Sequence, residues 1–145
     1  MAIMPIEWGK VREYANATAA ARPAYLDDPN APIPPTFLAT VIYWSRIGET
    51  VRAPEVAGAC AEVGIEPDVR NLLSLEQEYF FHGPVPRAGE TLHNSERLYD
   101  VRIKQGRQGP MVLVRFLVSF HDDQGQLRAE CRYTSAYVRK DKEAS

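Results

Sequence analysis

Cysteine is scarce: Cys60 and Cys131 are the only two in the chain. Two thiols do not make a disulfide framework, and neither lies in a Cys-x-x-Cys or Cys/His zinc spacing, so both read as reduced, partly buried side chains. Histidine is nearly as rare. His82, His93 and His121 form no His-x-x-x-His pair and no cluster with Asp or Glu, so no metal site is expected. No apolar run approaches the roughly 18 residues of a membrane span. The opening MAIMPIEWGK is too short and polar for a signal peptide. Cytoplasm is therefore the expected location. An excess of one charge is missing too: 17 Lys and Arg face 19 Asp and Glu, for a net charge of -2. Nucleic acid and anionic membrane both favour a basic surface, so neither is expected as a partner. Ser45 and Ser74 have no accompanying His/Asp pattern. Gly106-Arg107-Gln108-Gly109 lacks the strand–loop–helix context of a phosphate loop, and no cofactor is expected.

What is present suits one domain. The chain has 145 residues, 45% hydrophobic and 25% charged, enough apolar material for a core without cross-links. Residues 8–21 read as a helix, with Val11, Tyr14, Ala15 and Thr18 on one stripe. Pro23 and the acidic, proline-rich residues 27–35 end it. The apolar run that follows, residues 36–44, has no charged face. Pro35 suits a helix start, and the run predicts a helix wrapped on most sides by other structure. Residues 54–63 carry Val56, Ala59, Cys60 and Val63 at helical spacing, with Gly64 as a stop.

Everything beyond residue 73 reads as strand. Residues 74–81 place Leu75, Gln77, Tyr79 and Phe81 on one face. Residues 91–105 are extended, and residues 111–121 alternate strictly through Val112, Val114, Phe116, Val118 and Phe120. After a turn at 122–125, Leu127, Ala129, Cys131, Tyr133 and Tyr137 alternate with Arg128, Glu130, Arg132 and Thr134. A charged tail from Arg139 is expected to fray. Short turns join the last three strands into an antiparallel meander whose apolar face needs a cover, and residues 36–44 are the element able to supply it. An α+β hot-dog fold, an antiparallel curved sheet wrapped around a central α-helix, fits this pattern. A cystatin-like cone fits it as well.

Two motifs add to the pattern. The first comprises Pro23, Tyr25, Asp27, Pro29 and the unbroken Pro34-Pro35-Thr36-Phe37-Leu38. The second is EQEYFFHGPVPRAGETL, residues 76–92. Together they resemble the N-terminal domains of the MaoC-like dehydratases, relatives of (R)-specific enoyl-CoA hydratases. The resemblance implies a hot-dog domain over residues 1–145. It also implies an acyl-CoA or acyl carrier protein thioester as ligand, and association with a second hot-dog subunit of the same or another kind.

Active members of that family carry Asp-x-Asn-Pro-x-His in the turn after the first helix. The pair moves protons to and from one water and the substrate. Aligned on Pro23, this chain has Ala20 at the Asp position, Arg22 at the Asn position and Tyr25 at the His position. Alanine moves no proton, and a phenol with a reference pKa near 10 is a poor base at neutral pH. No catalytic residue is therefore expected. The resemblance instead implies a binding subunit of a heteromeric hydratase or dehydratase, with Tyr25, Arg22, Thr36, Phe37, Val41 and His82 as candidate binding residues. Arg87 and Arg107 are further cations able to grip phosphate. Two alternatives are a hot-dog thioesterase, with Glu76 or Glu78 directing water, and a self-associating acyl-binding protein without chemistry.

Overall fold

Five antiparallel strands form one sheet in the order β1-β3-β4-β5-β2 in a computed structural model that describes residues 1–139. They are β1 (Ala2–Pro5), β2 (Leu72–Phe81), β3 (Thr91–Gly106), β4 (Gly109–His121) and β5 (Leu127–Val138). The helices are α1 (Trp8–Ala17), α2 (Pro23–Leu26) and α3 (Pro54–Glu62), with 3-10 turns at Phe37–Tyr43, Glu49–Arg52 and Val69–Asn71. The tail beyond Arg139, where fraying is expected, lies outside the described residues.

The meander follows from its alternation and its turns. All five inward residues of β4, from Val112 to Phe120, are buried. Only Arg107 and Gln108 link β3 to β4, and Gly109 supplies the φ of 120° that so tight a connection needs. Between β4 and β5, Asp122 accepts the backbone N–H groups of Gln124 and Gln126 at 3.0 and 2.9 Å. The Gln126 amide, then that of Gln124 and the Arg128 guanidinium, holds this carboxyl below its usual range. Arg128 also donates to Glu90 at 2.8 Å and to the Pro84 carbonyl oxygen at 3.0 Å, tying the start of β5 to the loop before β3.

Several elements differ from the sequence reading. α1 stops at Ala17 rather than near Ala21. The Thr18 hydroxyl donates to the Tyr14 carbonyl oxygen at 2.9 Å, and Ala19 swings to φ 56°, which takes the chain out of the helix. Pro23 does not merely end α1; it opens the one-turn α2, with Arg22 as its extended N-cap. β1 is too short for periodicity to mark. It forms because β3 offers it a partner, from Ala2 opposite Asn94 to Pro5 opposite Thr91, and the Asn94 amide donates to the Ala2 carbonyl oxygen at 3.1 Å.

The apolar run after the two prolines was expected to be α-helical; residues Phe37–Tyr43 are a 3-10 helix. Its N–H groups reach back three residues, Phe37 to Pro34, Ala39 to Thr36 and Trp44 to Val41. Proline at 34 and 35 removes two donors, and β-branched Thr40, Val41 and Ile42 crowd an α-turn. The Thr40 hydroxyl meanwhile donates to the Phe37 carbonyl oxygen at 2.8 Å, which suits a tighter turn. β2 is buried unevenly along its length. Of the four residues read as sharing one face, Leu75 and Gln77 are exposed, whereas Tyr79 and Phe81 are half-buried.

Contacts divide the chain into two compact units, and β2 to β5 each contribute a segment to both. In the first, Met4, Ile6, Val11, Ala15, Phe37, Leu38, Val41, Leu92, Val118 and Phe120 are buried. The second buries Val51, Val56, Cys60, Val112, Val114, Phe116, Tyr133 and Tyr137. Phe116 and Tyr133 stack there at 4.9 Å between centroids, and the Tyr137 hydroxyl donates to the Val51 carbonyl oxygen at 3.0 Å. Burial pushes the Tyr137 phenol and the Cys60 thiol up. No helix among the described residues is long and apolar enough to cross a membrane.

Candidate functional site

A cleft of about 560 Å³ opens in the first unit, between one face of α1 and the 3-10 segment. Lys10, Glu13, Tyr14 and Ala17 face it from α1 at helical spacing; Phe37, Thr40, Tyr43 and Trp44 face it from the other side. Tyr14 connects the two walls. Its hydroxyl lies 2.5 Å from Thr36 Oγ1 and 3.0 Å from the Thr36 carbonyl oxygen, and its ring meets Phe37 edge-on at 5.5 Å. Lys10 and Glu13 form an exposed ion pair at 3.1 Å. The lining is mainly apolar and aromatic, with a few polar groups, the makeup of a site for an apolar chain with a polar end.

The six candidate binding residues fall in different places. Phe37 is buried and lines the cleft. Thr36 is exposed and joins the cleft through its bond to Tyr14. Val41 is fully buried and is not part of the lining. Arg22 is the N-cap of α2, and Tyr25 lies within that single turn of helix. There the Arg22 carbonyl oxygen accepts the Tyr25 N–H at 2.9 Å, and the Tyr25 carbonyl oxygen accepts the Trp8 indole N–H at 3.0 Å. Trp8 thereby pins α2 to α1. His82 directly follows β2, and its Nε2 is 2.9 Å from Glu130 Oε2. Arg87 is occupied with the Asn30 carbonyl oxygen at 2.9 Å, and Arg107 stands on the exposed β3–β4 turn. Neither Glu76 nor Glu78 lines the cleft.

Sequence reasoning missed Lys10, Glu13, Tyr14, Thr40, Tyr43 and Trp44. A signal for the first three was available in the second stripe of α1, where Lys10, Glu13, Tyr14 and Ala17 fall at i, i+3, i+4 and i+7. Tyr43 and Trp44 read as core because nothing charged interrupts their run; they are 81% and 40% exposed. Among the described residues no His, Cys, Asp and Glu gather closely enough to hold a metal ion.

An antiparallel five-stranded sheet preceded by these helices is the hot-dog fold of MaoC-like dehydratases. The chain belongs to the FAS1-like, dehydratase domain region family, whose model matches residues 3–130. No curated protein matches it. Among solved structures it is similar to the C-terminally truncated HadBC (3R-hydroxyacyl-ACP dehydratase) complex from Mycobacterium tuberculosis. That match has a TM-score of 0.66 and 20% identity, over 92% of this chain and 89% of that one. A MaoC-like dehydratase gives a TM-score of 0.73 at 22% identity, over 97% of this chain. The match spans only 40% of that dehydratase's length. The ChsH1–ChsH2 complex from Mycobacterium tuberculosis gives 0.66 at 17% identity, over 98% of this chain and 83% of that one.

Proposed function

We propose that this chain, as a single hot-dog domain, is an acyl-thioester-binding subunit of a heteromeric enoyl-thioester hydratase or 3-hydroxyacyl dehydratase. The groups that move protons then lie on a partner hot-dog chain. The observation that carries the reading is the α1–α2 turn. Where active relatives of the resembled family hold Asp and His, this chain holds Ala20 and Tyr25, with exposed Arg22 between them. The reaction needs a base to take a proton from water and an acid to give one to the α-carbon, both within hydrogen-bond reach of that water. A methyl group at position 20 removes half of that pair.

The cleft supplies the binding role. Phe37, Tyr43 and Trp44 offer apolar wall to an acyl chain, and Lys10 at its margin offers a cation to the anionic end of a CoA or carrier-protein thioester. Arg22, exposed at the N-cap of α2, is a further cation, while the Thr36 and Val41 carbonyl oxygens accept the Ala39 and Trp44 N–H groups of the 3-10 segment that presents Phe37. Membership of a dehydratase-region family supports the reaction class. Likeness to HadBC and to ChsH1–ChsH2, both complexes of more than one chain by name, supports a partner subunit.

The test is hydration of crotonyl-CoA and of bulkier enoyl-CoAs by the purified chain, alone and with co-expressed hot-dog partners. Turnover is expected only with a partner that carries an intact Asp-x-Asn-Pro-x-His turn. Turnover by the isolated chain at rates typical of enzymes would overturn the assignment. Thioester hydrolysis lost in Glu76→Ala or Glu78→Ala would replace it with a thioesterase.

A further inference from the structure

Charge is spread unevenly along this chain. Residues 97–115, the β3–β4 ribbon, hold five cations, Arg97, Arg102, Lys104, Arg107 and Arg115, against one carboxylate, Asp100. The net charge of the whole chain is -2, so the remainder is acidic. Residues 48–78, in the same compact unit, carry seven carboxylates against two cations. In the sheet, β4 and β5 stand between β3 and the Glu76 and Glu78 of β2. Among the described residues no ion pair engages Arg97, Lys104 or Arg107. Asp100 is divided between two guanidinium groups. Arg115 donates to it through Nε at 2.6 Å and through Nη2, and Arg102 donates through Nε at 3.1 Å. Arg97, Arg102, Lys104 and Arg107 are all exposed. A surface that serves solubility alone mixes the two signs.

The arrangement of these cations narrows what they fit. Residues two apart on a strand share a face, so Arg102 and Lys104 stand on the face where Asp100 meets Arg115, about 7 Å apart along β3. The row runs on to Arg107 at the turn. Cations strung out in this way do not converge on one phosphate, as a guanidinium cluster for a small anion does. Tyr99, the one aromatic residue of the ribbon, already has the Arg115 and Arg132 guanidinium carbons 4.8 and 4.5 Å from its ring centroid. A ring so occupied is a poor platform for the stacked bases of single-stranded nucleic acid. A long polyanion or an anionic bilayer also meets the field of the acidic remainder. A short acidic segment feels chiefly the charges within a screening length of about 8 Å. Tyr and Arg together are, in addition, the side chains enriched where proteins meet.

We propose that the β3–β4 ribbon, through Arg102, Lys104, Arg107 and Tyr99, is a docking surface for an acidic segment of another protein, one whose carboxylates recur at about 6–7 Å. None of these four residues lines the cleft, so the surface goes beyond the acyl-thioester reading and does not depend on it.

The probe is a dye-labelled helical peptide with Glu at every fourth position, a rise of about 6 Å, beside a twin with Gln in place of each Glu. Fluorescence anisotropy reads binding to the unmodified chain and to Arg102→Glu/Lys104→Glu/Arg107→Glu, with circular dichroism confirming the fold. If that variant fails to fold, Arg102→Gln/Lys104→Gln/Arg107→Gln takes its place. The Glu peptide should bind the unmodified chain roughly ten-fold more tightly than the Gln twin, and the variant should lose that margin. Binding should also vanish near 1 M salt, where the screening length falls to about 3 Å. Equal binding of the two peptides, or an unchanged affinity in the variant, refutes the proposal. So does a tighter, ribbon-dependent affinity for coenzyme A, for a double-stranded oligonucleotide or for phosphatidylglycerol vesicles. Self-association of the unmodified chain in sedimentation equilibrium, lost in the variant, refutes it in favour of a second copy. No thioester enters these measurements, so a failed hydration assay leaves their outcome standing.

Discussion

Strand β4 and the 3-10 segment Phe37–Tyr43 are the two most apolar stretches of the chain, and they use that apolarity differently. In β4 the inward side chains from Val112 to Phe120 are all buried, and of the outward positions, which include Arg115, only Leu117 is. The 3-10 segment buries Phe37, Leu38 and Val41, then leaves Ile42 55% exposed, with Tyr43 and Trp44 exposed beyond it. In β4 a period of two sorts each residue to a face. In the 3-10 segment, with three residues per turn, Leu38 and Val41 stack in one buried row with Phe37 buried beside them, and the last residues turn outward whatever their polarity. Hydrophobic sequence therefore marks core in the strand, and both core and cleft wall in the helix.

The largest effects should come from the buried members of both regions. Phe120→Ala and Phe37→Ala should each cost about 3–5 kcal/mol in urea or guanidinium unfolding, the usual range for emptying an aromatic site in a core. A small cost for Phe37→Ala would break the comparison by moving that ring from core to surface. Asp100→Ala comes next and addresses the outward side of β4. It strips Arg115 of two charge-assisted hydrogen bonds and Arg102 of one at 3.1 Å, so a loss of about 1.5–3 kcal/mol is expected. The Arg115 guanidinium, ahead of the other neighbours, holds the Asp100 carboxyl below the usual range. A carboxylate with a depressed folded-state pKa stabilises fully above its unfolded value of about 3.9 and loses that contribution as pH falls through the folded value. The gap between Asp100→Ala and the unmodified chain should accordingly be constant at neutral pH and close in acid, as read by unfolding titrations across pH.

Tyr14→Phe sharpens the comparison at the cleft. It keeps the edge-on contact with Phe37 and deletes the hydroxyl shared with Thr36, which should cost about 0.5–1.5 kcal/mol by thermal or chemical unfolding. Tyr43→Ala should show the smallest stability change, within about 0.5 kcal/mol, because its side chain is already in solvent. The same variant should weaken binding of a long-chain acyl thioester measured by calorimetry, while Ile103→Ala, exposed and outside the cleft, should not. Equal effects of the two would remove the cleft as the binding site.

Strict alternation made β4 and β5 legible from the chain alone, to within a residue or two at each end. The glycine turns were legible for the same reason: Gly109 and Gly125 take the positive φ that only a tight connection requires. β1 was not legible, because four residues ending in proline show no period and need β3 beside them to become a strand. At the candidate site Phe37 was found and Tyr14 was not. An aromatic on an amphipathic helix reads as core until its partner across the cleft, Thr36, is placed beside it.

The amino-acid order by itself determined the meander, the family resemblance and the absence of an Asp/His pair at residues 20–25. All of these are properties of neighbours along the chain and survive without any knowledge of packing. Tertiary structure alone decided that the apolar run closes as a 3-10 helix, that Tyr43 and Trp44 face a cleft, and that the leucines of β2 stand uncovered. Each of those outcomes depends on which distant surface arrives to compete for a side chain, and no local periodicity encodes that.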